Sequence, residues 1–214
     1  MRAFLTRDFS SSVRAFGLAL AALALGVLAG CTTPKYPPAP VDAQTADYNY
    51  RIGPLDTVNV IVWRNPDLSI AVPVRPDGKI TTPLVDDMVA IGKTPTELER
   101  DIEKALTKFI RDPVVTIVVT NFAGPVNEQI RVTGEATKPQ IMPYRKDMTL
   151  LDVMIAVGGL TDFADGNKAI VIRNVGGKQL QANMRIDDLI KDGDISANVP
   201  MMPGDILIIP ESWF

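Results

Sequence analysis

The residues best suited to chemistry in this sequence are carboxylates. Glu97, Glu99 and Asp101 fall within one short segment, and Asp86 and Asp87 are adjacent. Cleaving a glycosidic bond takes two such groups about 5–10 Å apart on either side of a cleft. Glu97 and Asp101 instead stand one helical turn apart on one face, beside Arg100 and Lys104, which is the charge pattern of a solvated helix. No catalytic residue is expected. The chain has no histidine and a single cysteine, so it lacks the commonest general base, imidazole metal ligands, a cysteine metal site and an intrachain disulfide. No metal or cofactor is expected. Three further places carry binding chemistry. Trp63 can stack on a sugar ring or close a core. Asp86 and Asp87 can bind a cation or form a solvated loop. Arg173 can pair with an acidic neighbour across a subunit interface, or make a surface ion pair of little worth.

The one thiol, Cys31, is explained by what precedes it. Arg2, Arg7 and Arg14 open the chain, and an uncharged stretch rich in Ala and Leu runs from Ala15 to Gly30. That stretch is short of the roughly 20 apolar residues of a transmembrane helix. Basic, apolar and small-residue regions in that order make residues 1–30 a secretory signal. Leu28-Ala29-Gly30-Cys31 resembles a bacterial lipobox, which implies cleavage before Cys31 and acylation of its thiol. At about 0.8 kcal/mol per buried methylene, the two or three acyl chains so implied would anchor the protein permanently. Thr32 stands where an Asp would argue for inner-membrane retention, so an outer-membrane position facing the periplasm is expected. Residues 31–47 include Pro34, Pro37, Pro38 and Pro40 without periodicity, and read as an extended tether. Net charge is −3, and residues 1–30 hold three Arg against one Asp, so the remainder is more acidic and offers no footprint for nucleic acid.

Two small units must position these residues. Hydrophobic content is 46% with only 6% aromatics, so an aliphatic core is expected. In the first unit, residues 48–121, Gly53-Pro54 and Asp56 mark a turn into a β-branched run ending at Trp63. Ser69–Val74 is a further strand, joined to Lys79–Thr82 by a hairpin turn at Asp77-Gly78. Thr94, Pro95 and Glu97 spell a capping box, after which Leu98, Ile102, Ala105, Leu106 and Ile110 share one helical face. Asp112-Pro113 stops that helix, and Val114–Thr120 is a strand. Gly124-Pro125 marks the boundary. The second unit, residues 127–212, holds a strand at 129–135, a helix capped by Thr149 and ended by Gly158-Gly159, and a hairpin around Gly176-Gly177. A short helix over Ile186–Ile190 and a last strand, Ile206–Ile209, complete it. Pro54-Leu55-Asp56 is echoed by Pro203-Gly204-Asp205, a likeness too common among strand entries to argue duplication.

The ordered series of motifs resembles a known family. Tyr50-Arg51-Ile52-Gly53-Pro54-x-Asp56, Val60-x-Val62-Trp63, Asp77-Gly78-Lys79-Ile80, Pro83-Leu84, Gly92-x-Thr94 and Asp112-Pro113-x-Val115 are similar to the polysaccharide export domain of outer-membrane lipoproteins. Val132-x-Gly134-Glu135, Lys138-Pro139, Thr149-Leu150, Gly158-Gly159-Leu160, Ile172-Arg173 and Pro203-Gly204-Asp205 are similar to the SLBB β-grasp domain that follows it. Leu55 and Gln140 depart from the pattern, standing where glycine is usual. The resemblance implies an α+β fold: a small export domain, then a β-grasp-like SLBB domain with its closing strand.

It also implies a function. The expected protein is an outer-membrane lipoprotein that forms a homo-oligomeric ring and conducts exopolysaccharide, with Trp63, Asp86 and Asp87 as candidate polymer contacts and Arg173 as a candidate interface residue. Expected partners are an inner-membrane polysaccharide copolymerase and synthesis complex and a separate outer-membrane pore protein. The chain ends at Phe214, just past the last strand, where long family members continue into an amphipathic helix. The resemblance is therefore to the short form found beside exosortase-type exopolysaccharide clusters. A monomeric sugar- or ligand-binding lipoprotein, or an adaptor between barrel and synthesis complex, stays open as the alternative.

Overall fold

The computed structural model describes residues 35–40 and 48–213, which apart from Lys35 belong to one compact unit, residues 36–214. The signal segment 1–30, the lipidation candidate Cys31, residues 32–34 and 41–47 of the tether and Phe214 lie outside the described residues. The fold is α+β, with two hydrophobic cores in succession.

The first lobe follows from alternation. β1 (Thr57–Val62) buries Val58, Val60 and Val62 and turns the intervening residues outward. It is the centre of an antiparallel sheet between β2 (Ile70–Pro73) and β5 (Val115–Asn121). The Asp77-Gly78 turn forms, with Gly78 at φ +80°, but the strands on its two sides part company. β2 pairs with β1, whereas β3 (Lys79–Thr82) pairs with β4 (Val85–Val89) in a hairpin of its own. The expected hairpin between the two is thus corrected. The short run of β4, Val85-Asp86-Asp87-Met88-Val89, does not alternate and gave little strand signal.

Helix α1 (Pro95–Leu106) begins as its capping box requires. Thr94 and Glu97 exchange side-chain and backbone hydrogen bonds, and Leu98, Ile102 and Leu106 are buried. Its outer carboxylates are not merely solvated. Glu99 and Glu103 accept the N–H groups of Ile117 and Val115, each at 2.9 Å, and so cover the open edge of β5.

The second lobe is a five-stranded mixed sheet in the order β7-β6-β10-β8-β9. Its strands are β6 (Ile130–Gly134), β7 (Ile141–Met142), β8 (Ala169–Val175), β9 (Lys178–Met184) and β10 (Ile206–Ile209). The last strand enters the middle, parallel to β6 and antiparallel to β8. Leu150, Val153 and Met154 of helix α2 (Leu150–Ala156), and Ile186 and Leu189 of α3 (Ile186–Ile190), join the core. β9 is not left bare on its outer edge. Asn183 exchanges backbone hydrogen bonds with Pro37 (2.7 Å) and Ala39 (3.0 Å), and Ala39 is buried in this core. A stretch expected to be free tether therefore adds to the sheet, proline-rich as edge segments often are.

The helix caps set a pH dependence. Hydrogen bonds from the Thr94 backbone and hydroxyl hold the Glu97 carboxyl below its ordinary range, and those of Thr149 do the same for Asp152. Both groups bind a proton less readily folded than unfolded. Their contribution is therefore present above the ordinary carboxylate range, about pH 4, and is lost as pH falls through the lowered folded values. Urea midpoints measured from about pH 6 down to pH 3 should fall, and fall less steeply in an E97Q/D152N variant.

Candidate functional site

One turn, used twice, holds the linker between the lobes. In Gly53-Pro54-Leu55-Asp56, the Asp56 N–H donates to the Gly53 carbonyl (3.4 Å) while its Oδ2 accepts the Gly53 N–H at 2.8 Å. In Met202-Pro203-Gly204-Asp205 the same bonds recur at 3.1 and 2.8 Å. The third residue has positive φ in both, +70° at Leu55 and +84° at Gly204. Both aspartates are fully buried, and each leads into the first residues of a central strand, β1 or β10. The sequence echo is therefore a shared local structure.

The two turns grip opposite ends of the linker. Asp56 Oδ1 accepts the N–H groups of Ala123 (2.7 Å) and Gly124 (2.9 Å). Gly53 lies so close that a Cβ there would stand 2.1 Å from the Gly124 carbonyl carbon and oxygen. From the other lobe, Gly204 N–H donates to the Glu128 carbonyl at 3.1 Å, and a Cβ on Gly204 would meet the Asn127 oxygen at 2.4 Å. Leu55 occupies in the first turn what glycine occupies in the second, at the cost of about 1–2 kcal/mol that left-handed backbone imposes on an L-residue. Its side chain is 63% exposed and contributes little packing. Leu55→Gly should therefore raise stability by about 0.5–1 kcal/mol after glycine's extra unfolded-state entropy is subtracted, read as a higher urea midpoint.

A groove of about 610 Å³ opens over this linker. Three of the four tyrosines in the chain, Tyr48, Tyr50 and Tyr144, line it together with Phe122. Tyr48 meets Tyr144 edge to face at 4.9 Å, and Tyr50 meets Phe122 likewise at 5.4 Å. The Tyr48 hydroxyl donates to Glu128 at 3.0 Å, and the Tyr50 hydroxyl to Asp56 Oδ2. Burial first, then the bonded carboxylate, pushes both phenols far up, so they remain proton donors throughout the physiological range. Phe122 is 54% exposed, and Asn121, Arg145 and Lys146 also border the groove. A second groove of about 470 Å³ shares Tyr48, Glu128 and Tyr144 with the first and has Arg173, Met202 and Pro203 in its wall.

The residues singled out from sequence do not converge. Trp63 follows β1 and is 65% exposed, so it closes no core. Asp86 and Asp87 are exposed but belong to strand β4, not to a loop, and Asp87 pairs with Arg75 at 2.6 Å. Arg173 is the clearest correction. It is buried, its Nε and Nη2 donate to the two carboxylate oxygens of Asp205 at 2.9 and 2.7 Å, and Nη2 also reaches the Pro200 carbonyl at 3.0 Å. Its acidic partner lies in its own chain. Gln140, at the other non-glycine departure, keeps negative φ and bonds the Ala156 carbonyl at 2.8 Å. Among the described residues, no group of three or more His, Cys, Asp or Glu is arranged to hold a metal ion, and no helix is long and apolar enough to cross a membrane. Sequence reasoning missed the tyrosines. Their signal was scarcity, since a chain so poor in aromatics places three of its four tyrosines at 48, 50 and 144.

Comparison with known proteins follows the same two-lobe division. Residues 44–120 match the family model described as polysaccharide biosynthesis/export protein, and residues 128–209 match the SLBB domain. The chain is 25% identical over 186 residues to the EPS I polysaccharide export outer membrane protein EpsA of Ralstonia nicotianae, covering 76% of this chain and 47% of that protein. It is 32% identical over 124 residues to the capsule polysaccharide export outer membrane protein CtrA of Neisseria meningitidis serogroup A, covering 55% of this chain and 31% of CtrA. It is 26% identical over 132 residues to the exopolysaccharide production protein ExoF of Rhizobium meliloti, covering 56% and 30%. The chain thus spans about half the length, or less, of the curated relatives it matches. With an export domain and an SLBB domain in succession on two lobes held by one linker, the chain belongs to the polysaccharide export protein family.

Proposed function

We propose that this protein serves polysaccharide export at the outer membrane, as a lipid-anchored, periplasm-facing subunit of an oligomeric conduit. The observation that carries the reading is the ordered pair of domain matches over residues 44–209, supported by similarity to relatives named as polysaccharide export outer membrane proteins. The anchor is Cys31. The partners are the exopolysaccharide, further copies of the chain, an inner-membrane copolymerase and synthesis complex, and a separate outer-membrane pore protein. No covalent step belongs to it. Of the carboxylates grouped on the first helix, Glu97 caps it, Glu99 covers a strand edge and Asp101 pairs with Lys93. The outward face of β1 and β5 supports association. Ile61 and Val118 are exposed there, with Trp63 and Val114 at its end, an apolar surface of the kind that partners cover. Asp86 and Trp63 remain candidates for polymer contact.

Deleting the gene should trap polymer inside the cell without changing its chain length, whereas loss of a hydrolase would change length. The acylated protein, gently extracted in detergent, should show a closed ring by native mass and electron microscopy. A strict monomer at high concentration with its partners present would overturn the conduit.

A further inference from the structure

We propose that the aromatic groove over the linker is a saccharide subsite that holds a short run of pyranose rings of the exported polymer. The inference rests on the export reading above and deepens it. A pyranose has two chemically different surfaces: C–H groups project from its faces and hydroxyls ring its edge. The groove offers both complements. Phe122 presents an exposed ring at its mouth, backed by Tyr50 edge to face, and Tyr48 with Tyr144 forms a second aromatic pair in the wall. Thr120, Asn121 and Arg145 also line it. The Thr120 hydroxyl donates to the Thr57 carbonyl at 3.3 Å and the Asn121 amide nitrogen to the Leu55 carbonyl at 3.5 Å. These two can therefore offer a sugar hydroxyl their oxygens as acceptors, and Arg145 offers guanidinium donors.

Size and position favour the same occupant. About 610 Å³ is in the range of small-molecule sites and too confined for the contact area of a folded partner. The floor is stiff where it matters, because the Tyr50 hydroxyl is fixed on Asp56, which also holds the backbone of Ala123 and Gly124 beside Phe122. The platform is therefore pre-organised, with little ordering cost on binding. The groove is also open, as a polymer in transit requires: a ring can settle on Phe122 and leave again.

The test is calorimetric titration of the acylated full-length protein, in detergent, with short oligosaccharides made by limited hydrolysis of the polysaccharide that the producing strain secretes. Binding should be saturable. Phe122→Ala should weaken it about tenfold, the scale of one lost aromatic contact, while leaving the thermal midpoint close to that of the parent. Asn121→Ala should weaken it as well. Phe163→Ala, an exposed aromatic that lines neither groove, should leave it unchanged. No binding, an unaltered affinity in both groove variants, or an equal loss with Phe163→Ala would overturn the subsite. Failure here is separable from failure of the export reading. If the gene deletion traps polymer but the groove binds none, export stands and the subsite falls; if deletion leaves export intact, the export reading itself falls.

Discussion

Asp56→Ala should cost about 3–5 kcal/mol and uncouple the two lobes. The carboxylate is fully buried and accepts four hydrogen bonds, from the N–H groups of Gly53, Ala123 and Gly124 and from the Tyr50 hydroxyl. Truncation leaves backbone donors without partners in a site closed to water, at about 1–3 kcal/mol for each group that stays buried. Asp56→Asn should cost less, because an amide oxygen can still serve Ala123 and Gly124 while its NH₂ opposes the Gly53 N–H. The loss should also change how the protein unfolds. Each lobe has its own hydrophobic core, and the linker contacts of Asp56 are among the bonds that join them. Urea unfolding of the Ala variant followed by amide exchange should show Gly124 losing protection first, and one transition splitting into two. A single transition within about 1 kcal/mol of the parent would show that the turn is not what couples the lobes.

The twin turns explain why an export domain and an SLBB domain occur here as one compact unit. A connection of a few residues between two cores would ordinarily permit relative motion. Here each lobe contributes a Pro-x-Asp turn to a different part of the same connection, and both approach so closely that glycine at positions 53 and 204 leaves no room for a Cβ. The groove inherits its shape from that arrangement, since Phe122 and Gln129 border it and Ala123 to Glu128 lie between them under the two turns. Fold and site are thus one construction: the residues that fix the linker also fix the aromatic platform.

What could be read from sequence divides along the distance over which the cause acts. The capping box at Thr94, the cap at Thr149, the glycine stop at Gly158-Gly159 and the Gly176-Gly177 hairpin are set by residues within a few positions of one another, and all four form. The α+β character of residues 48–121 followed from local signals of the same kind, and that of the whole chain from the family resemblance. The parting of β2 from β3 was not legible, because a tight turn dictates direction at the turn and not which neighbour a strand chooses. Nor was the docking of Pro37–Ala39 on β9, where a proline-rich segment without periodicity gains its partner only from the open edge of a sheet more than a hundred residues away. Glu99 looked like any solvated helix carboxylate because the donor it serves, Ile117, belongs to a strand beyond the end of the helix. The groove is the extreme case. Tyr50, Phe122 and Tyr144 share no local pattern, and only the closing of two lobes on one linker brings them together.

Arg173→Ala should be as damaging as Asp56→Ala, and for the opposite electrostatic reason. Removing the guanidinium leaves Asp205 fully buried and charged, with the Met202 N–H as its remaining donor among the bonds described. Breaking one side of a buried ion pair typically costs about 3–5 kcal/mol, most of it from the stranded charge and not from the lost attraction. A second substitution should therefore restore part of the loss. In Arg173→Met/Asp205→Asn the charge is gone, the apolar stem of the introduced methionine fills the space, and the introduced amide oxygen can still accept the Met202 N–H that shapes the turn. A double-mutant cycle by urea denaturation should give a coupling of about 2 kcal/mol or more, well above the 0–1 kcal/mol of exposed pairs. The cycle also separates the two roles open to Arg173. A residue whose work lay at a subunit interface would, on truncation, change the oligomeric state and leave the folding stability of the single chain within about 1 kcal/mol. A residue that locks Asp205 into the closing turn would lower that stability even where no oligomer forms.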